Sequence, residues 1–342
     1  MCFERGYPDN NCCLPAAYNE PANIELSPCP WDFWVDASFT YWTAYEGGLD
    51  LATSNTNSTF LTGVAGGVTI PVDTLEQETA WKPGFKVGLG VDLGHDHWSA
   101  YAEYTWFRSR THTSKTASAA PAGASAAVWT VTGWSLTHAN HSPIEISSTW
   151  HCNMDLLDVA ATRPFYQGTH LIMAPFAGVR AAWIRQNLRL AMPVVLAGQN
   201  ADAVYHFNSH SWAVGPRAGC RGEWHLGWGF RVEGDMAASI NYTRYTSVNA
   251  SADSLVFGSR VTADLSDYNA IRFNNDMNIG LGWGSYFDCR NYHFDLLVSY
   301  DFQIFWDQNM MRYLANEVAT GVGAQPNNLY LQGLTVRAQF DF

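Results

Sequence analysis

The sequence predicts an all-β fold, a transmembrane antiparallel up-and-down β-barrel of about ten strands. Three observations predict it. Apolar and polar residues alternate with a period of two along most of the chain. No stretch approaches the roughly 18 consecutive apolar residues that a membrane helix needs, although 47% of the 342 residues are hydrophobic. The links between the alternating stretches are short and long in turn, as in outer-membrane barrels.

Ten alternating stretches are the predicted strands. In the first, Val35, Ala37 and Phe39 alternate with Asp36 and Ser38, so one face is apolar and the other polar. The ten stretches cover residues 33–45, 85–93, 98–106, 150–162, 171–184, 212–222, 228–242, 271–283, 292–303 and 334–342. By the same alternation, the lipid-facing set includes Leu89, Met236 and Val298, and the inward set includes Gly90, Ser239 and Ser299.

The length of the links orients the predicted barrel. Short links follow the second, fourth, sixth and eighth strands: His95 to His97, Arg163 to His170, Glu223 to Leu226, and Asp288 to Arg290. Short turns are typical of the periplasmic end and long loops of the extracellular end. With an even count, residues 1–30 form a periplasmic segment and residues 31–342 form the barrel. The last strand, TVRAQFDF, closes against the first and places Phe342 at the lipid interface.

Two further features of the strands carry predictions. Hairpins hidden in the long links would raise the count to about twelve to sixteen strands, with candidates at Val128–Val131, Val194–Tyr205 and Leu255–Val261. Aromatic residues near strand ends are predicted to form the two interfacial girdles: Trp34, Trp98, Trp106, Trp228, Trp283 and Tyr292.

The seven cysteines predict disulfides rather than a metal site. Zinc sites use paired Cys-x-x-Cys spacing, which is absent, so no metal or other cofactor is expected. The disulfide candidates are Cys2, Cys12, Cys13, Cys29, Cys220 and Cys289, all placed at or near the periplasmic end. Cys152 lies near the outer end of the fourth strand and is not expected to join them. The N-terminus has no apolar signal-peptide region, so an exported protein would be present here in its mature form.

Three stretches carry a family resemblance. They are YWTAYEGGLDLA from Tyr41, PFAGVRAAWIRQ from Pro175 and the closing FDF. The chain from Trp31 onward resembles the Legionella major outer membrane protein family and the MOMP-like porins of chlamydia-related bacteria. The resemblance implies a pore-forming outer-membrane protein of an intracellular Gram-negative bacterium. It also implies disulfide cross-links to other envelope proteins, and it supplies no catalytic residues.

The candidate site is the set of charged side chains that alternation directs into the lumen. Charges of both signs in a narrow lumen can select solutes by charge and size. Alternatively, they pair with one another and fill the interior, as side chains do in eight-stranded barrels. The predicted pore-lining residues are Asp36, Lys86, Asp92, Glu103, Asp155, Arg180, Arg217, Arg231, Glu233, Asp235, Arg272, Asp276, Asp295, Asp301 and Arg337.

The predicted function is passive diffusion of small solutes through an outer-membrane pore, together with envelope integrity. The first alternative is a structural or adhesive barrel with a plugged lumen. The second is an outer-membrane hydrolase, since His112, His138, His141 and His151 fall near Asp155, but no motif fixes a catalytic geometry and an enzyme is not expected. The formal net charge of −12 disfavours nucleic acid or an anionic lipid surface as the main partner. Expected partners are outer-membrane lipid, further copies of the chain or disulfide-linked envelope proteins.

Overall fold

The protein is described by a computed structural model. The described residues are Leu26 and residues 31–55, 72–93, 96–116, 128–131, 134, 145–196, 199–254, 259–265, 267–288, 291–321 and 325–342. The predicted N-terminal segment therefore lies almost wholly outside them, as do Cys2, Cys12, Cys13, Cys29 and Cys289.

Ten antiparallel strands form one closed barrel. In chain order the strands of the whole fold are β1 (Trp31–Glu46), β2 (Asp50–Asn55), β3 (Val72–Glu76), β4 (Trp81–Leu93), β5 (Ser99–Thr116), β6 (Val128–Val131), β7 (Glu145–Thr162), β8 (Tyr166–Gln167), β9 (Leu171–Leu196), β10 (Gln199–Gly227), β11 (Phe230–Ser254), β12 (Ser259–Leu265), β13 (Tyr268–Phe287), β14 (Tyr292–Phe305) and β15 (Leu329–Asp341). The barrel order is β1, β4, β5, β7, β9, β10, β11, β13, β14 and β15.

The barrel closes where the last strand meets the first. β15 pairs with β1 along its length, so that Ala338 lies opposite Ala37. At the end of this ladder, Phe33 and Phe342 exchange backbone N–H to O bonds of 3.0 and 2.8 Å. Closure pairs both edges of the sheet, which satisfies the backbone groups that lipid cannot hydrogen-bond. The predicted closure of the final strand on the first is confirmed.

All ten predicted strands are present, and the count of ten is confirmed. The larger count of about twelve to sixteen is wrong, because the described residues of the three candidate hairpins add no further strand to the closed barrel. In the described part of the chain, β6 pairs only with β2, in a separate sheet with β3. Residues 199–205 extend β10 along β9. β12 pairs with β11 but is not one of the ten strands that close the barrel.

Short turns lie at one end of the barrel. The turn between β10 and β11 has left-handed backbone at Gly227, Trp228 and Gly229, with φ of 97°, 57° and 81°. Left-handed φ is the conformation that tight hairpins between twisted strands require, and glycine adopts it without steric cost. Asp96 and Asp288, at two other short turns, also have positive φ.

The alternation of faces is confirmed residue by residue at the tested positions. Leu89 and Met236 are 62% and 63% exposed on the outer face, whereas Ser239 and Ser299 are buried inside. Trp34 is the exception among the predicted girdle residues. It faces inward, and a Cβ added at Gly90 would overlap its indole ring. Trp34 is therefore not a girdle residue.

Several strands extend far beyond the membrane thickness on the side away from the short turns. β9, β10 and β11 have 26, 29 and 25 residues, whereas about 9 to 11 suffice to cross a bilayer. The sheet of β2, β3 and β6 and a helix, α1 (Met310–Thr320), pack at this end. Among the described residues, no helix is long and apolar enough to cross a membrane.

Candidate functional site

The barrel interior is divided into a charged layer and an apolar layer. Inward positions nearer the short turns carry mainly Arg, Lys, Asp and Glu. Inward positions farther from the turns carry aromatic and aliphatic side chains. The charged layer is the candidate functional site, and the apolar layer determines whether solutes can reach it.

Asp276 is the centre of one ion-pair cluster. Its carboxylate accepts from Arg180 at 2.9 Å and makes a close contact with Arg217. Arg180 also donates two bonds to Asp158, at 2.6 and 2.7 Å. All four side chains are at least about nine-tenths buried. Strands β7, β9, β10 and β13 are thus linked through the lumen by charge-assisted bonds.

A second cluster lies around Glu233. Arg231 contacts its carboxylate at 3.1 Å and also pairs with Asp295. Arg337 reaches the same Glu233 at 3.1 Å, and Arg221 lies 3.8 Å away. Glu233 is 1% exposed, and three guanidinium groups surround it. This arrangement compensates the cost of burying its negative charge.

Lys86 and Asp301 form a third pair across the lumen. The ammonium lies 3.0 Å from the carboxylate, which also accepts from Thr335 at 2.8 Å. The Trp42 indole N–H donates to the same Thr335 hydroxyl. Lys86 additionally lies 5.1 Å from the Trp42 ring, so Trp42 connects the charged layer to the apolar layer above it.

A cavity lies within the charged layer. The centre of a water molecule can occupy about 70 Å³ of it. Eight of the predicted residues line it: Lys86, Glu103, Arg180, Arg217, Asp235, Asp276, Asp301 and Arg337. Asp158 and Arg221 also line it, although neither was among the predicted residues. Asp36, Arg231, Glu233 and Asp295 are inside the barrel but do not line this cavity.

The remaining predicted residues lie elsewhere. Asp92 is half-buried on the inner face near the short turns. Arg272 lies in the apolar layer, 3.4 Å from Asp307 and from the Tyr245 hydroxyl. Asp155 is on the outer face and pairs with Arg108, so the expectation that it faces the lumen is wrong. Asp158 lies three residues farther along the same strand. Because side chains an odd number of residues apart in a strand point to opposite faces, Asp158 faces the lumen instead.

The apolar layer fills the barrel above the charged layer. Its largest fully buried side chains are Trp42, Phe107, Trp134, Trp150, Tyr205, Phe207 and Tyr245. The helix α1 adds Met310, Met311 and Leu314 to this core. We call β2, β3, β6 and α1 together the plug. Arg312 of α1 stacks over Trp134 and contacts the backbone oxygen of Asp50, which joins the helix to the plug sheet.

The cysteine and histidine candidates fall outside this site. Cys152 is a buried free thiol in the apolar layer. Cys220 is free and half-buried, on the outer side of β10 opposite Met236, so its disulfide stays a prediction. His112 and His151 are on the outer surface, and His138 and His141 lie outside the described residues. Within the described residues, no three His, Cys, Asp or Glu side chains are placed to hold a metal ion.

A closed ten-stranded barrel with a lipid-facing apolar surface and a charged lumen defines a transmembrane β-barrel protein of the outer-membrane type. Residues 27–342 match the family described as Legionella pneumophila major outer membrane protein precursor. The chain belongs to this family, and it is an outer-membrane protein. Comparison with curated proteins finds no match.

Solved outer-membrane barrels are similar at low identity. The outer membrane protease OmpT of Escherichia coli is 10% identical, with a TM-score of 0.41 over 94% of this chain and 98% of that one. A major outer membrane protein of Thermus thermophilus is 11% identical, with a TM-score of 0.30 over 90% and 99%. The toluene transporter TbuX of Ralstonia pickettii is 8% identical, with a TM-score of 0.28 over 90% and 88%.

Proposed function

We propose that the protein is a narrow, gated pore that admits ions and small hydrophilic solutes across the outer membrane and contributes to envelope integrity. One observation carries the proposal, namely that the two layers of the barrel interior differ in how completely side chains fill them. Apolar side chains pack closely in the apolar layer, while charged side chains surround a cavity in the charged layer, in which about 70 Å³ is open to the centres of water molecules. Buried ion pairs cost more desolvation than apolar packing, so filling alone does not account for the charged layer.

Polar atoms of the charged layer support a hydrated passage. Arg217 Nε, Asn278 Oδ1 and Gln303 Oε1 are buried and have no hydrogen-bond partner among the described residues. All three residues line the cavity. Buried polar groups in proteins are normally satisfied, and ordered water is the partner where protein groups are absent. Water in this layer would be the medium through which ions pass.

The plug is the gate in this proposal. Its apolar contacts seal the outer part of the lumen in the described arrangement, so conduction requires the plug to move. Movement of α1 would break its packing at Leu314, its N-terminal bond from Asn309 to the Gly47 carbonyl, and the Arg312 contacts. Because many small contacts hold the plug in place, we expect the channel to open briefly and infrequently.

Single-channel recording in planar bilayers tests this function. Wild type should show rare openings, and Leu314→Ser should open more often because it removes buried apolar contact from α1. Glu317→Gln, at an exposed position of the same helix, is the matched control and should behave as wild type. Absence of conductance in both wild type and Leu314→Ser would contradict a gated pore.

A structural barrel is the second candidate function. The observation that favours it is the completeness of the apolar layer, in which large aromatic side chains from opposite walls and from the plug are fully buried. A permanently closed barrel would still provide a rigid envelope component. Silent bilayer recordings of correctly folded wild type and plug variants would favour this candidate.

A further inference from the structure

The outer surface of four neighbouring strands changes character along its length. On β5, β7, β9 and β10, the outward residues nearest the short turns are mainly small or apolar. Farther from the turns, Trp106, Asp155, Trp183 and Trp212 lie side by side in one row across the four strands. Tryptophan concentrates at membrane interfaces, so this row marks the end of the lipid-facing belt on this side of the barrel.

Basic and polar side chains begin immediately beyond this tryptophan row. In three successive outward rows the register places Arg108, Asn153, Arg185 and His210, then Arg110, His151, Asn187 and Asn208, then His112, Thr149, Arg189 and His206. We call these twelve residues the basic patch. With strands about 4.8 Å apart and outward residues about 7 Å apart, the patch measures roughly 14 by 14 Å.

The charge of the basic patch is largely uncompensated. Arg108 is neutralised by Asp155, with both contacts at 2.8 Å. Arg110, Arg185 and Arg189 are exposed, and none of them forms a salt bridge with a carboxylate in the part of the chain that the structure describes. These three guanidinium groups are therefore available to an external ligand.

Two exposed arginines elsewhere on the barrel, Arg244 and Arg260, contrast with those of the patch. Arg244 pairs with Asp267 at 2.6 Å, and Arg260 pairs with Asp253 at 3.3 Å. The patch is thus a local positive region on a chain whose formal net charge is −12. Net charge alone disfavoured an anionic lipid partner, but association with a headgroup depends on the charges within about one Debye length of it.

We propose that the basic patch binds the phosphorylated glucosamine headgroup of lipopolysaccharide in the outer leaflet. The side away from the short turns is the extracellular side of such barrels, where this glycolipid forms the leaflet. Guanidinium groups match phosphate oxygens in paired hydrogen bonds, and the Asn and His side chains supply donors for sugar hydroxyls. The tryptophan row beneath contacts the start of the acyl chains.

Native mass spectrometry of the detergent-solubilised full chain tests the proposal. Purified lipid A bearing its phosphates and the same lipid after dephosphorylation are titrated separately. Arg185→Gln with Arg189→Gln should weaken binding of phosphorylated lipid A by about thirtyfold, which is about 2 kcal/mol at about 1 kcal/mol per surface arginine. The matched control is Arg244→Gln with Arg260→Gln, which removes two arginines already paired with carboxylates and should leave binding unchanged.

The comparison of the two lipids in wild type needs no variant, so it decides the question even if the patch variant fails to fold. Equal binding of phosphorylated and dephosphorylated lipid A would overturn the proposal. Retention on heparin without preference for phosphorylated lipid would also overturn it, in favour of a soluble anionic polysaccharide. Loss of binding in the control variant as well as the patch variant would overturn it too, because total charge, and not the patch, would then govern the interaction.

Discussion

Asp276→Asn tests the ion-pair clusters of the lumen most sharply. The substitution keeps the shape of the side chain but removes the negative charge shared by Arg180 and Arg217. Arg180 keeps its two bonds to Asp158, whereas Arg217 loses the one carboxylate that it contacts among the described residues. The variant therefore leaves one buried guanidinium, 8% exposed, without an ionic partner.

The unpaired Arg217 guanidinium determines how much the variant is expected to be destabilised. Removing one partner of a buried ion pair destabilises a protein by about 3 to 5 kcal/mol, because the other charge stays desolvated. Adding Arg217→Met to Asp276→Asn removes the unpaired guanidinium and should restore most of the lost free energy of unfolding. Asp267→Asn is the matched control. Its pair with Arg244 is exposed, so water screens it and its loss should leave the free energy of unfolding nearly unchanged.

Urea unfolding in lipid vesicles, followed by the heat-sensitive electrophoretic mobility typical of folded barrels, measures these free energies. The reasoning is refuted if Asp276→Asn lies within about 1 kcal/mol of wild type. It is equally refuted if the double variant is no more stable than the single one. The first result would show that water in the lumen screens these charges, and the second that the loss does not come from the unpaired Arg217.

Three further outcomes are expected. Met236→Arg, on the lipid face, should cost about 2 to 4 kcal/mol in the same vesicle assay if it lies near the bilayer midplane, while Met236→Ala should cost far less. Gly215→Ala should destabilise the barrel by about 1 to 3 kcal/mol because its Cβ would overlap the Ile240 carbonyl oxygen. Gly222→Ala on the same strand, where no atom lies nearer than 3.9 Å to the added Cβ, should be tolerated. The N-terminal cysteines should give higher bands on non-reducing electrophoresis of envelopes that collapse with reductant, and a monomer in both lanes would exclude cross-linking.

The barrel wall was predictable because its signal is local. A strand can be recognised from the alternation of apolar and polar residues along it and from the residues at which the alternation ends. Leu89, Met236 and Ser239 all have the orientation predicted in this way. The plug was not predictable, because β2, β3, β6 and α1 gain their stability from packing inside the barrel. The segment Val128–Val131 is strand-like in sequence, but only its pairing with β2 shows that it lies outside the wall.

The sequence predicted most of the charged residues that face the lumen, but it did not predict which of them form ion pairs. Strict alternation places Glu233, Asp235 and Arg231 together on the inner face of β11, and applied to β10 it would also have selected Arg221. Which cation meets which carboxylate depends on register across the lumen, between strands far apart in sequence. Asp155 shows the limit of alternation, since the irregular pattern of its strand gave the wrong face.

Ion selectivity tests the central claim, that ions cross the membrane through the charged layer of a gated pore. Glu103 and Asp235 line the cavity, and Asp235 lies 3.9 Å from Arg221, a longer separation than in the other lumenal ion pairs. We therefore expect these two carboxylates to favour cations in the proposed pore. The reversal potential across a KCl gradient should show cation preference in wild type and a reduced preference in Glu103→Gln with Asp235→Asn. Asp253→Asn, at the exposed outer end of β11, should leave it unchanged. A reversal potential that is the same in all three proteins would contradict the account.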